Sequence, residues 1–213
     1  MNFLDICKKV NQLGEFQGAI SSVVATGYQA EIVEVVRQAY VDIQLHRDTW
    51  FFLQRDKTFN IGSSAITYTP TTIFTTDTLS SWDKGRILYN YKPLRYIPYD
   101  AYILIDTSAE VAGKPDYFTI RPYDSALIFN KSDATYAISA HYHMKPQSLV
   151  GNAEELLMPS EHHYVVVYLA MTYLPSLLSS EIYQRAVNSY NVALGQLLRK
   201  QCPEIYITRR PIA

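Results

Sequence analysis

From His162 to Ser180 the chain contains no Asp, Glu, Lys or Arg. No other stretch constrains the fold as much, because a charge-free run with ring and branched side chains on every side cannot be left in water. A helix that is apolar all round belongs in the centre of a protein or in a membrane. Pro175 and the Pro-Ser-Leu-Leu-Ser-Ser ending cut the apolar part short of the ~20 residues that a span needs. The expectation is therefore a central buried helix with no membrane-spanning role. Pro159-Ser160 supplies its start signal, Ser160 being the expected cap, and Pro175 its stop. Tyr164, Val167, Tyr168, Met171 and Leu174 are expected to share one face.

A central helix needs others around it, and three more are legible. Phe3, Ile6, Val10 and Leu13 keep helical spacing behind Asn2 and Asp5, a plausible start. Gly14 to Ala25 reads as a loop or arm. Thr26 with Gln29 has the pattern of a capping box. From there Ile32, Val36, Ala39, Ile43, His46, Trp50 and Leu53 alternate intervals of four and three. They form one stripe of a long helix running to about Gln54, roughly 40 Å at 1.5 Å per residue. On that stripe His46 reads as a hydrogen-bonded core histidine. Ser179 or Ser180 opens a last helix with Ile182, Ala186, Tyr190, Ala193 and Leu197 in line, closed by Cys202-Pro203.

Between these helices the pattern changes. β-Branched and aromatic runs at 66–69, 87–91 and 102–105 are separated by Pro, Gly, Asp and Ser. Tyr117–Arg121, Ala126–Phe129 and Tyr136–Tyr142 read as a three-strand meander with turns at 122–125 and 130–133. The predicted fold class is α+β: a helical frame of about four helices, one of them long, with a β-rich insertion and an extended C-terminal tail. The segments are 1–56 for the first helices, 57–150 for the insertion, 151–203 for the closing helix pair and 204–213 for the tail. At 213 residues the chain can bury a core without staples.

The search for chemistry is mostly negative. Cys7 and Cys202 cannot make a disulfide framework or a four-cysteine zinc site, and match no cysteine-protease signature. Free thiols without a signal peptide point to folding in a reducing cytoplasm. There is no Gly-x-Ser-x-Gly elbow, Walker loop or Gly-x-Gly-x-x-Gly. His141 and His143 fall on one face of a strand, as a metal pair or as packing rings, but without a third ligand in the motif. His162 and His163 diverge around a helix start and read as an interfacial or capping pair, with general-base work the sharper alternative. Glu154-Glu155 read as solvated loop charges. No catalytic residue, cofactor or metal is assigned, and the chain is read as a non-enzyme. Net charge is -1, which excludes a strongly basic nucleic-acid binder. Arg47 and Arg55, flanking Trp50, serve either helix–helix salt bridges or a neighbouring subunit. The tail, with Ile205, Tyr206 and Ile207 before Arg209 and Arg210, reads either as a strand added to a partner's sheet or as a frayed end. The 18 tyrosines admit two uses, subunit packing or sugar stacking, the latter with Trp82 as a platform.

The order of the helical motifs is familiar. Val33-x-x-Val36-x-x-Ala39-Tyr40-x-Asp42-Ile43-Gln44-x-x-Arg47-x-x-Trp50 resembles the long second helix of tailed-bacteriophage head-to-tail adaptor (connector) proteins. So do Leu157-Met158-Pro159-Ser160-Glu161-His162-His163 with the Val/Tyr/Ala helix behind it, and a closing helix with Ala186, Tyr190, Leu194, Leu197 and Leu198 before Pro203. The resemblance covers the helical half; the β-rich middle is larger than in the compact adaptors. It implies a structural virion protein of the neck, made in the host cytoplasm. Copies would form a dodecameric ring between the portal protein and a tail or nozzle protein. Double-stranded DNA would pass through the lumen without specific binding. It also implies portal docking by Ile205, Tyr206, Ile207, Arg209 and Arg210; Arg47, Trp50 and Arg55 are then the candidate subunit interface. The alternative is a carbohydrate- or ligand-binding β module on a helical stalk.

Overall fold

A computed structural model describes residues 1–47, 49–63, 65–74, 79–105 and 111–202. The fold is mixed α+β. The chain makes two compact units: Met1–Leu53 with the chain from Pro146 onward, and Gln54–Lys145.

The first unit is helical and is built around the charge-free segment. After a 3-10 turn at Ser160–His162, helix α5 (His163–Thr172) buries His163, Val165, Val166, Val167, Leu169, Ala170 and Met171, residues on all sides of the axis. Its tyrosines reach the surface, Tyr164 at 39% exposure and Tyr168 half-buried, as does Thr172 at its last position. The face expected from spacing thus divides, because ring hydroxyls keep to the rim while the small apolar residues go inward. Three helices pack on α5: α1 (Phe3–Leu13), α2 (Tyr28–Leu45) and α6 (Ser180–Gln201). Helix α1 starts as its sequence requires. Asn2 accepts from the Asp5 N–H, and the Asp5 carboxylate accepts from the Asn2 N–H, closing a reciprocal capping box. Ser179 caps α6 by accepting from the Ile182 N–H.

Helix α2 differs from its prediction at both ends. Its N-cap is Gly27, with φ +65°, so the Thr26–Gln29 box does not form and Gln29 donates to the Ala19 carbonyl instead. Its stripe is real from Ile32 to Ile43, but the helix stops at Leu45, nine residues short of Gln54. The Trp50 indole folds back and donates from Nε1 to the Ile43 carbonyl at 2.9 Å, a last-turn carbonyl that otherwise accepts only a 3.3 Å bond from the His46 N–H. Phe52 stacks on that indole at 5.4 Å. Trp50 and Leu53 are buried through this reversal, which the spacing cannot distinguish from further helix. His46 is exposed, not in the core.

Tyr40 and Gln44, one turn apart on α2, hold the segment that follows the second unit. Gln44 Nε2 donates to the Gln147 carbonyl and Gln44 Oε1 accepts from the Gln147 N–H. Its amide thus pairs with backbone as a neighbouring strand would. The Tyr40 hydroxyl donates to Gln147 Oε1 and accepts from the Leu157 N–H, both at 2.9 Å.

The second unit holds two four-stranded sheets sharing one core. One has the order β1 (Gln54–Ile61), β8 (Tyr136–Met144), β3 (Leu79–Tyr89), β4 (Lys92–Pro93), all antiparallel. The other runs β2 (Thr67–Tyr68), β7 (Leu127–Phe129), β6 (Tyr117–Ile120), β5 (Arg95–Tyr96), with β5 parallel to β6. Ile61, Ile87, Ile138, Ala140 and Tyr142 meet Phe118, Leu127 and Phe129 in the core. The fold departs from two sequence expectations. The meander breaks after its first hairpin: β6 and β7 pair, but β8 crosses to the centre of the other sheet. Buried Asn130 marks the departure, accepting from the Asp116 N–H and donating to the Lys114 carbonyl, which fixes the chain before it leaves. The run 102–105 is not a strand. Pro70 opens a short helix, α3 (Pro70–Ile73), and Pro98 precedes another, α4 (Tyr99–Tyr102), which Ile103, Leu104 and Ile105 follow in a solvent-exposed turn.

Candidate interaction surfaces

The residues with chemical potential are dispersed. Among the described residues no group of three or more His, Cys, Asp or Glu could hold a metal ion. His141 lies across the ladder from Asp56, with its Nδ1 2.5 Å from the carboxylate, and His143 lies across from Gln54. Cys7 is buried, and desolvation pushes its thiol up to about 12, so it is unreactive as a nucleophile. His163 is a structural link. Its Nε2–H donates to the Met158 carbonyl at 2.9 Å and its Nδ1 accepts from the Met1 nitrogen at 3.0 Å; burial lowers its pKa. Both nitrogens are committed, which leaves nothing for proton transfer to a ligand. The Glu154 carboxylate accepts from the Val150 N–H within its own loop.

The residues proposed for subunit contact separate. Arg47 is exposed; Trp50 is fully buried against its own chain; Arg55 is half-buried and donates to the Gln54 carbonyl. Trp50 is therefore core and leaves the interface set. Ile205, Tyr206, Ile207, Arg209 and Arg210 lie outside the described residues, as does the predicted extended tail. Trp82 is corrected as a sugar platform: it is 5% exposed, its Nε1 donates to the Ser125 carbonyl, and it stacks with Phe74.

What the helical unit does present is a groove of about 480 Å³ between α5 and α6. Tyr164, Val165 and Tyr168 line one side; Ser189, Val192 and Ala193 line the other. The two tyrosine rings, one helical turn apart, lie 5.8 Å from each other. Val192 is 62% exposed, and on the whole of α6 only Ala186 and Leu197 are fully buried. One end of the groove is charged. Lys200 on α6 is 3.0 Å from Glu161, which it holds below its ordinary pKa, and His162 Nε2 is 3.2 Å from the same carboxylate. His162 is buried and makes no directed hydrogen bond through Nε2; desolvation lowers its pKa, partly opposed by Glu161. Sequence reading places Val192 off the stripe of α6 and passes over it. An apolar residue off the buried stripe was the available signal.

No protein-family model and no curated protein matches this chain. No helix among the described residues is long and apolar enough to cross a membrane.

Proposed function

We propose that the chain is a head-to-tail adaptor of a tailed-phage neck. Copies form a dodecameric ring between the portal and a tail or nozzle protein, the ring acts as a conduit for double-stranded DNA, and no chemistry is catalysed. The observation that carries this reading is the α5–α6 groove. A helix whose sequence demands burial is enclosed except chiefly along Tyr164 and Tyr168, where a cleft charged only at its Glu161 end faces exposed Val192. Tyrosines and small apolar residues in a wide cleft are the make-up of a protein-docking surface. The ordered adaptor-like motifs of the helical half add to it. So does a net charge of -1, since a duplex that must slide needs a wall without a dense Lys/Arg lining. In this reading the helices are the ring frame, the β-rich insertion reaches a neighbour or the tail, and residues 204–213 engage the portal.

The test is assembly. Purified chain mixed with a portal protein is expected to give rings by electron microscopy, and removal of Glu204–Ala213 to abolish them while the monomer keeps its helical circular dichroism. A monodisperse monomer without affinity for portal would sink the reading.

A further inference from the structure

The hairpin joining β3 to β4 carries an unusual residue. Tyr89 pairs with Lys92, so the loop has two residues, Asn90 and Tyr91, and both have positive φ, +49° and +63°. A two-residue hairpin loop of this type favours Asn followed by Gly, because the left-handed region crowds a Cβ. Here the second place holds a tyrosine that is 95% exposed. Its conformation costs energy and its ring gains almost no burial in return. Strain of this kind collects where a side chain is presented to another molecule.

Tyr91 stands at one end of a cleft of about 480 Å³ on the sheet. The floor is set by register. Thr58, Ser139 and Leu88 are paired across β1, β8 and β3, with Ala137 beside them, while the intervening Phe59, Ile138 and Ile87 belong to the core side. Apart from Leu88, the floor is made of small side chains. None of the lining residues is charged. Among the described residues the side chains of Thr58, Asn90 and Ser139 form no hydrogen bond, so two hydroxyls and an amide remain available. The end with Tyr91 is opposite the one where the chain enters at Gln54 and leaves at Lys145.

We infer that this cleft binds a neutral saccharide, a pyranose ring lying on Tyr91 with its hydroxyls served by Thr58, Asn90 and Ser139. An uncharged lining gives a phosphate or carboxylate nothing to pair with, and a small apolar ligand would leave the hydroxyls and the amide without partners. A flat ring with hydroxyls at its edges satisfies both the aromatic face and the polar groups. The site depends on the β-rich unit alone and stands whether or not the chain forms a ring.

Calorimetric titration of the full chain with cellohexaose, maltohexaose and chitohexaose tests it. At least one is expected to bind. Tyr91→Ala is expected to weaken that binding about tenfold, the equivalent of ~1.4 kcal/mol. Tyr91→Gly, which suits the turn and keeps the hairpin, is expected to lose as much, so the result does not depend on the alanine variant folding. Tyr123→Ala, at the 75% exposed tyrosine of the β6–β7 hairpin, is expected to bind as the wild type does. The inference is overturned if none of the three sugars binds, if the Tyr91 variants bind undiminished, or if Tyr123→Ala weakens binding equally.

Discussion

Tyr40 and Tyr91 are the same residue type put to opposite uses. Tyr40 is fully buried, desolvation pushes its phenol up to about 12, and its hydroxyl serves Gln147 and Leu157 at once. Tyr40→Phe keeps the ring but orphans the Leu157 N–H. It is expected to cost about 1–3 kcal/mol in urea unfolding, with the lower end marking access of water to the vacated site. Tyr91→Gly acts in the other direction. Relieving the left-handed strain of an exposed residue is expected to raise stability by about 1 kcal/mol in the same measurement, and a lower midpoint would show that the ring packs after all. Nothing in the residue type separates these two tyrosines. Their neighbours along the chain do so only for Tyr91, which follows Asn90 at a hairpin position. The burial of Tyr40 follows from its place on the α2 stripe, but its partners at 147 and 157 are over a hundred positions away.

At the scale of elements, the entrance to α5 carries a pH dependence. His162 and His163 both have pKa values below the ordinary 6.5, chiefly through desolvation. Glu161 and the Met158 carbonyl favour their charged forms; Lys200 and the Met1 ammonium oppose them. The unfolded chain therefore takes up protons at a pH where the fold still excludes them. The stability these groups confer is complete above 6.5 and declines as pH falls through that value toward the depressed ones. Urea midpoints measured between pH 7.5 and 5 are expected to fall in that window. Replacing both histidines by Gln should flatten the curve, and an unchanged slope would assign it to other groups. The limits of elements were the hardest part to read. Helix α1 is stopped and started by local groups, so Asn2 and Asp5 announce it. Helix α2 is ended by an indole folding back over a reversal that keeps the helical spacing of Trp50 and Leu53. Strand β8 has its alternation in the sequence, but the choice between joining β7 and lying between β1 and β3 is made by partners 49 to 89 positions upstream.

At the scale of the whole molecule, the groove on α5 and α6 is the place to test the proposed assembly. Val192→Asp places a charge on an exposed position, so monomer stability should shift by no more than about 0.5 kcal/mol. Ring formation on a portal protein is nevertheless expected to be lost, as read by electron microscopy and sedimentation. Rings formed normally by that variant would place the subunit contact away from α5–α6 and take the groove away as support for the adaptor reading. Arg47→Ala, on an exposed side chain after α2, is the matching probe for the interface placed there from sequence.

The α+β class, the charge-free helix at the centre of the helical unit, the capped start of α1 and the hairpin between β6 and β7 are all legible in the order of residues. Each follows from chemistry within a few residues: a segment without charge must be buried, and a turn or cap is made by the side chains beside it. Where α2 ends, which sheet takes β8, that Trp50 and Trp82 are core, and which tyrosines face outward come from the folded chain alone. Those outcomes depend on groups far apart in the chain competing for the same carbonyl, strand edge or pocket, and the competition is settled when the chain folds.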